Sequence, residues 1–166
     1  MDLARFRRVS KANKPRLYAF LARLDEIVPE GFPALITEKD KEVWSEIDCT
    51  QCANCCKTMT PTYTTPDIRR IATHLHLKPK DLIAKWLMKN DAGEYVNQTQ
   101  PCQWLRPDNL CGIYEVRPAD CAEFPHHNKQ PFDAYNETFQ NNLVYCPATY
   151  ELVSKLEKSV KDGWEW

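Results

Sequence analysis

Four thiols stand within eight residues in Cys49-Thr-Gln-Cys52-Ala-Asn-Cys55-Cys56. A two-residue spacing lets the chain turn so that both sulfurs face one point, which is why it recurs at zinc and iron–sulfur sites. Four more cysteines follow at wide intervals: Cys102, Cys111, Cys121 and Cys146. Only the fold can bring these to the first group. Each has a turn-forming or rigid residue close by: Pro101 before Cys102, Gly112 after Cys111, Pro118 before Cys121 and Pro147 after Cys146. A lone cysteine behaves as a small hydrophobe. Thiols gathered this closely oxidise or collect metal instead.

The choice between disulfides and metal turns on the compartment. The N-terminal MDLARFRRVSKANKPRL is basic but has no apolar run of the secretory kind, so a cytoplasmic address is expected. That compartment is reducing, which favours metal over disulfides. Eight thiols would make two closed tetrahedral zinc sites, with the adjacent Cys55 and Cys56 pointing apart to serve different centres. The alternative is an iron–sulfur cluster. Cys49, Cys52 and Cys55 reproduce the C-x2-C-x2-C run of bacterial ferredoxins, and Cys146-Pro147 would supply the remote ligand, but Cys56 has no place in that scheme. The expected cofactor is therefore zinc or an iron–sulfur cluster. The expected ligands are Cys49, Cys52, Cys55, Cys56, Cys102, Cys111, Cys121 and Cys146. At least one centre is expected to take sulfurs from both sides of residue 100, since neighbouring side chains on an extended segment diverge.

Several other chemistries find no support. The chain has 166 residues and a formal net charge of −1, so no positive field draws nucleic acid. No apolar run is long enough to cross a membrane. Four glycines form neither a GxGxxG nor a GxxxxGK[ST] loop. No catalytic triad, nucleophile elbow or carboxylate pair is evident, so no catalytic residue is assigned and any enzymatic activity would have to reside at the metal.

The elements that must position the thiols are mostly helices. Leu17, Phe20, Leu21, Leu24 and Val28 recur at helical spacing after Pro15 and predict a helix over about 15–28. PEGFPALITEKDKE reads as a connector. Thr65 as cap, Pro66 and Asp67 open a second helix, with Ile68, Ile71, Ala72 and Leu75 on its buried face. Pro79 opens a third, which turns Leu82, Ile83, Trp86 and Leu87 inward. From Asp91 to Tyr114, turn formers separate short apolar pieces, which read as short strands or loops. A last helix starts at Pro147, carries Leu152, Val153, Leu156 and Val160, and ends at Gly163. The expected fold is mainly α, with irregular loops or short β segments around a cysteine-ligated metal site. It forms a single domain of three segments: residues 1–48 helical and packed on the core, 49–147 metal-binding, and 148–166 the C-terminal helix.

From Cys49 to Pro147 the sequence resembles the CxxCxxCC cysteine-cluster family, YkgJ-like proteins described as zinc- or iron-chelating. CTQCANCC matches the naming motif. TPDIRRIATHLHLKPKDLIAKWL is similar to the helical pair that follows it, and PCQWLRPDNLCGIYEVRPADCAEFP is similar to a second signature. The resemblance implies that all eight cysteines are ligands, and it singles out Tyr114, Arg117 and Pro118 as motif residues. Ala122 departs from the pattern, where members often carry arginine. Some flagellin lysine methylases are similar in the cysteine motif, although the motif alone does not transfer their activity.

Around the cluster, Arg117 is expected to pair with a carboxylate such as Asp67 or to donate to a thiolate. His126 and His127 are expected in a surface loop, with a ninth ligand or a proton shuttle as the alternative. Trp104, Tyr114 and Phe124 are expected to form an apolar wall around the metal. Three function classes stay open: a metal-dependent redox or modifying enzyme component, a structural zinc module that presents a surface to a protein partner, and a metal carrier. Neither nucleic acid nor a membrane is an expected partner.

Overall fold

In the computed structural model, residues 2–163 are described. The chain is mainly helical, as expected. In order it forms α1 (Leu3–Leu24), α2 (Phe32–Glu46), α3 (Cys49–Cys52), α4 (Asn54–Thr58), α5 (Thr65–His74), α6 (Pro79–Trp86), β1 (Leu87–Lys89), β2 (Tyr95–Asn97), α7 (Ala119–Glu123), α8 (Asn136–Asn142) and α9 (Pro147–Gly163), with 3-10 turns at Tyr114–Val116 and Asp133–Tyr135. The end of the expected 148–166 segment, residues 164–166, lies outside the described residues. The fold divides into two compact units, Met1–Cys49 with Pro125–Trp166, and Thr50–Phe124.

The first unit packs α1, α2, α8 and α9. Helix α1 starts twelve residues before the expected Pro15. Asp2 caps it by accepting from the N–H groups of Ala4 and Arg5 at 3.0 and 2.9 Å. Phe6 and Ser10 extend the buried stripe of Leu17, Phe20, Leu21 and Leu24 at the same spacing. Pro15 is tolerated mid-helix on the exposed side, where its missing N–H need not be replaced from the core. Val28 lies beyond the Asp25 cap and is exposed, so it does not join that stripe.

The expected connector is in fact α2, with Phe32, Ile36 and Val43 buried. Gly31, at φ 75°, turns the chain into this helix, and Pro33 occupies its first turn. Phe132 stacks on Phe139 with ring centroids 4.1 Å apart, and Phe32 meets Phe132 edge-on at 5.9 Å. Helix α9 keeps its expected bounds, and Leu152, Val153, Leu156 and Val160 are fully buried. The buried Glu157 is paired by Arg16 and Lys161.

The second unit has its own apolar core of Tyr63, Ile68, Ile71, Ala72, Leu82, Leu87 and Ile113, with Trp86, Trp104 and Cys111 packed against it. Helices α5 and α6 supply the residues expected of them, except that Leu87, expected on the third helix, instead opens β1 and is buried there. The cap of α5 is Thr64 rather than Thr65: Thr64 Oγ1 accepts from the Asp67 N–H, and the Asp67 carboxylate accepts from the Thr64 N–H in return. Strands β1 and β2 are antiparallel, with Leu87 opposite Asn97 and Lys89 opposite Tyr95. Gly93 takes the left-handed conformation in the turn between them at φ 79°. Tyr63 adds one bridge to Tyr95.

Candidate metal centre

All eight cysteines lie among the described residues, and all are thiols. Cys49 and Cys146 belong to the first unit, and the other six to the second. Cys49 is exposed, and Cys52 and Cys146 are buried; Cys55, Cys56, Cys102, Cys111 and Cys121 are half-buried.

The naming motif is helical rather than extended. It forms two short turns, α3 and α4, joined by Ala53 in the left-handed region at φ 46°. Adjacent side chains on a helical turn are separated by about 100° rather than 180°. Cys55 and Cys56 accordingly do not point apart, and their sulfurs are 4.0 Å from each other.

The remote cysteines of the second unit are brought to Cys56. The Cys102 N–H donates to the Cys56 carbonyl at 2.8 Å, so the main chains of the motif and of the later segment are bonded directly. Between Cys102 and Cys111 the chain folds back on itself. Leu105 pairs with Cys111, the Gly112 N–H reaches the Trp104 carbonyl at 2.7 Å, and Asn109 turns the tip at φ 64°. Each end of this loop makes the same local arrangement. The N–H of Trp104 donates to the sulfur of Cys102, and the N–H of Ile113 donates to that of Cys111.

Cys121 sits on α7, which is held at two points. The Ala119 N–H donates to Asp67 Oδ1 at 3.1 Å, and Asp120 Oδ2 accepts from the Thr62 N–H at 3.0 Å. Asp67 is thus cap, ion-pair partner and anchor at once. Its partner is Arg70 at 2.6 Å, not Arg117. The Arg117 guanidinium instead lies 3.9 Å from the ring centre of Tyr114 and donates to the Tyr114 carbonyl at 2.7 Å.

The electrostatics tie four of these thiols into one group. Burial pushes the thiols of Cys102, Cys111 and Cys121 up, and the charge of Cys56 raises each of them further. Cys111 also raises Cys102, and both raise Cys121. All six pairs among Cys56, Cys102, Cys111 and Cys121 therefore feel one another. Cys56 goes the other way: the hydrogen bond from the Cys55 thiol is the main cause that draws it down to about 7, against the opposing effect of burial. One sulfur of the group is thus half ionised at neutral pH while three stay protonated. Among the described residues, no three His, Cys, Asp or Glu side chains are yet drawn together tightly enough to hold a metal ion as they stand.

Tyr63, Asn97, Gln103 and Trp104 form a polar network beside Cys102. Tyr63 Oη donates to Asn97 Oδ1 at 2.6 Å and accepts from Trp104 Nε1 at 3.1 Å, and Gln103 Nε2 donates to the same Oδ1 at 2.9 Å. Burial holds the Tyr63 hydroxyl firmly protonated. Of this network only Trp104 was singled out by sequence reasoning. Of the expected wall, Trp104 is packed against the core and Trp86, whereas Tyr114 is exposed. His127 departs from the expected surface loop. It is buried in the first unit, with Nδ1 2.7 Å from Asp40 Oδ1 and Nε2 3.0 Å from Thr149 Oγ1. His126, at φ 70°, makes the turn that sends the next ring inward. Both ring nitrogens of His127 are occupied, so the ring contributes to packing and hydrogen bonding rather than to a metal.

A family model named CxxCxxCC, described as a "putative zinc- or iron-chelating domain", matches residues 48–147. No curated relative and no solved structure matches the chain.

Proposed function

Because the chain belongs to the CxxCxxCC family, we propose that its zinc- or iron-chelating capacity resides in a four-thiolate centre made by Cys56, Cys102, Cys111 and Cys121. The mutual electrostatic coupling of these four sulfurs, across one short main-chain bond between Cys56 and Cys102, is the observation that supports it. The donor chemistry fits: four soft sulfurs suit zinc or iron, and N–H donors from Trp104 and Ile113 offset the charge of two of them. Metal binding would draw the four side chains inward and release the protons that burial holds on three of them. A bound metal would cross-link the segments that carry the four cysteines. The protein's own residues do the rest: the Cys55 thiol keeps Cys56 ionised, Asp67 holds the Cys121 turn, and Trp104 shields one side. Four protein thiolates fill every position of such a centre, which favours a structural role over catalysis at the metal.

Anaerobic purification followed by metal analysis and a visible spectrum tests this. One zinc or iron bound per chain, lost on Cys102→Ser or Cys121→Ser, is the expected result. A metal retained undiminished by both variants would defeat the assignment.

A further inference from the structure

Helix α1 carries seven of the chain's 22 Lys and Arg residues and none of its 23 Asp and Glu. Arg5, Arg7, Arg8 and Lys11, all exposed, crowd its first half. A solvated surface helix ordinarily mixes signs, so that charges three and four residues apart attract. Within α1 every such charged pair is of like sign: Arg5 with Arg8, Arg7 with Lys11, Arg8 with Lys11, and Lys11 with Lys14. Arg5 also stands in the first turn, at the positive end of the helix dipole. The cap Asp2 offsets part of this charge, with Arg5 and Arg8 beside it. Arg16 is drawn to the buried Glu157 of α9. The apolar face holds α1 against α8 and α9, so the outer face keeps its one-signed charge against its own local stability. A rule broken locally without gain to the fold marks a functional surface. Charge is set apart along the sequence as well: outside α1 the remaining Lys and Arg are outnumbered by all 23 Asp and Glu.

We propose that the outer face of α1 docks an acidic segment of a partner protein. At about 100° per residue, Arg7, Lys11 and Lys14 fall along one side of this face and Arg5 along the other, with exposed Ala4, Ala12 and Ala19 between them. Small side chains let a partner's backbone come close, and the flanking cations then reach its carboxylates. Charge decides against the other occupants. A second copy laid α1 to α1 would set like charges together. A long phosphate chain reaching past the roughly 33 Å of α1 would meet a remainder of net negative charge. A bilayer surface would need apolar anchors, and Phe6, Leu17, Phe20, Leu21 and Leu24 are all turned into the core. The inference is independent of the four-thiolate reading above.

The test is fluorescence anisotropy of a labelled helical peptide rich in Glu and Ala, titrated with the full chain. Binding is expected at about 50 mM salt and should weaken steeply by about 300 mM. Arg8→Glu with Lys11→Glu should weaken it about 10-fold or more. The same double variant should melt no lower than wild type, because three of the four like pairs become opposite ones. That combination, binding lost with stability kept or raised, is not what a merely structural role would give. Lys78→Glu with Lys80→Glu makes the same charge change on exposed residues of the second unit and should weaken binding far less. No binding by the wild-type chain at low salt, or equal binding by the α1 variant, would overturn the proposal. If the double variant does not fold, Lys11→Gln decides in the same way through a smaller loss. A single-stranded RNA or a phosphatidylserine vesicle held through Arg8 and Lys11 more tightly than the peptide would assign the face to another occupant and overturn it too. So would a wild-type dimer, seen by sedimentation, that the α1 variant dissociates.

Discussion

Cys56 differs from the three thiols that surround it in having a second thiol, Cys55, as its hydrogen-bond donor. Its acidity is drawn down to about 7, so in metal-free protein it ionises while Cys102, Cys111 and Cys121 remain neutral. Alkylation of the metal-free chain, read by peptide mass spectrometry, should therefore label Cys56 ahead of those three. The rate should rise through pH about 7, and Cys55→Ala should shift the rise to higher pH. The sign for metal follows from the other three. Each must give up a proton that burial favours keeping, so affinity for zinc should climb steeply as pH rises, with proton release measurable by calorimetry in buffers of different ionisation enthalpy. Histidine behaves otherwise: His127→Ala should leave metal content intact, since both nitrogens serve Asp40 and Thr149, and should lower the unfolding midpoint instead. At this scale the sequence was legible where residue type carries the chemistry, as with the cysteines. It was silent on Asn97, which looks like one more turn former in NQTQPC, and on His127, whose direction depends on the backbone of His126.

Asp67 shows how an element can be read while its task is missed. Thr65, Pro66 and Asp67 announce the start of α5, one residue late for the cap Thr64, yet the Asp67 carboxylate also receives Arg70 and the first N–H of α7. Burial opposes its ionisation, but the donors of Thr64, Arg70 and Ala119 outweigh burial and hold its acidity below the ordinary carboxylate value of 3.8. The stabilisation this provides is complete above that value and is lost as pH falls through the depressed one. Asp67→Ala should cost about 1–3 kcal/mol in denaturant unfolding and flatten the acid limb of the stability profile. In α9 the effect is packing alone: Leu156→Ala should cost about 2–5 kcal/mol without changing metal content. Helices α5, α6 and α9 were legible because a proline or a cap marks each start and the apolar spacing runs unbroken. The first half of α1 and the whole of α2 were not, because Pro15 in one and Pro29, Gly31 and Pro33 around the other imitate boundaries.

At the scale of the molecule, the mainly helical class was legible from composition and spacing, whereas the division into two units was not. That division depends on which distant segments meet, and periodicity does not encode it. It carries a prediction: on chelation, amides of α5, β2 and α7 in the second unit should exchange faster, while those of α1 and α9 keep their protection. Equal loss in both units would contradict it. None of the described helices is long and apolar enough to cross a membrane. The two units also differ in a way that matters during synthesis. Residues 50–124 are continuous, but the first unit is closed only when α9 meets α1 and α2. A ribosome adds about 5–20 residues per second. The stripe of Phe6, Leu17, Phe20, Leu21 and Leu24 must therefore wait on the order of ten seconds for Leu152, Val153 and Leu156 to emerge. In that interval the unit with the cysteines has all its residues available, whereas the half-made first unit is the aggregation-prone and chaperone-dependent stage of this chain's birth.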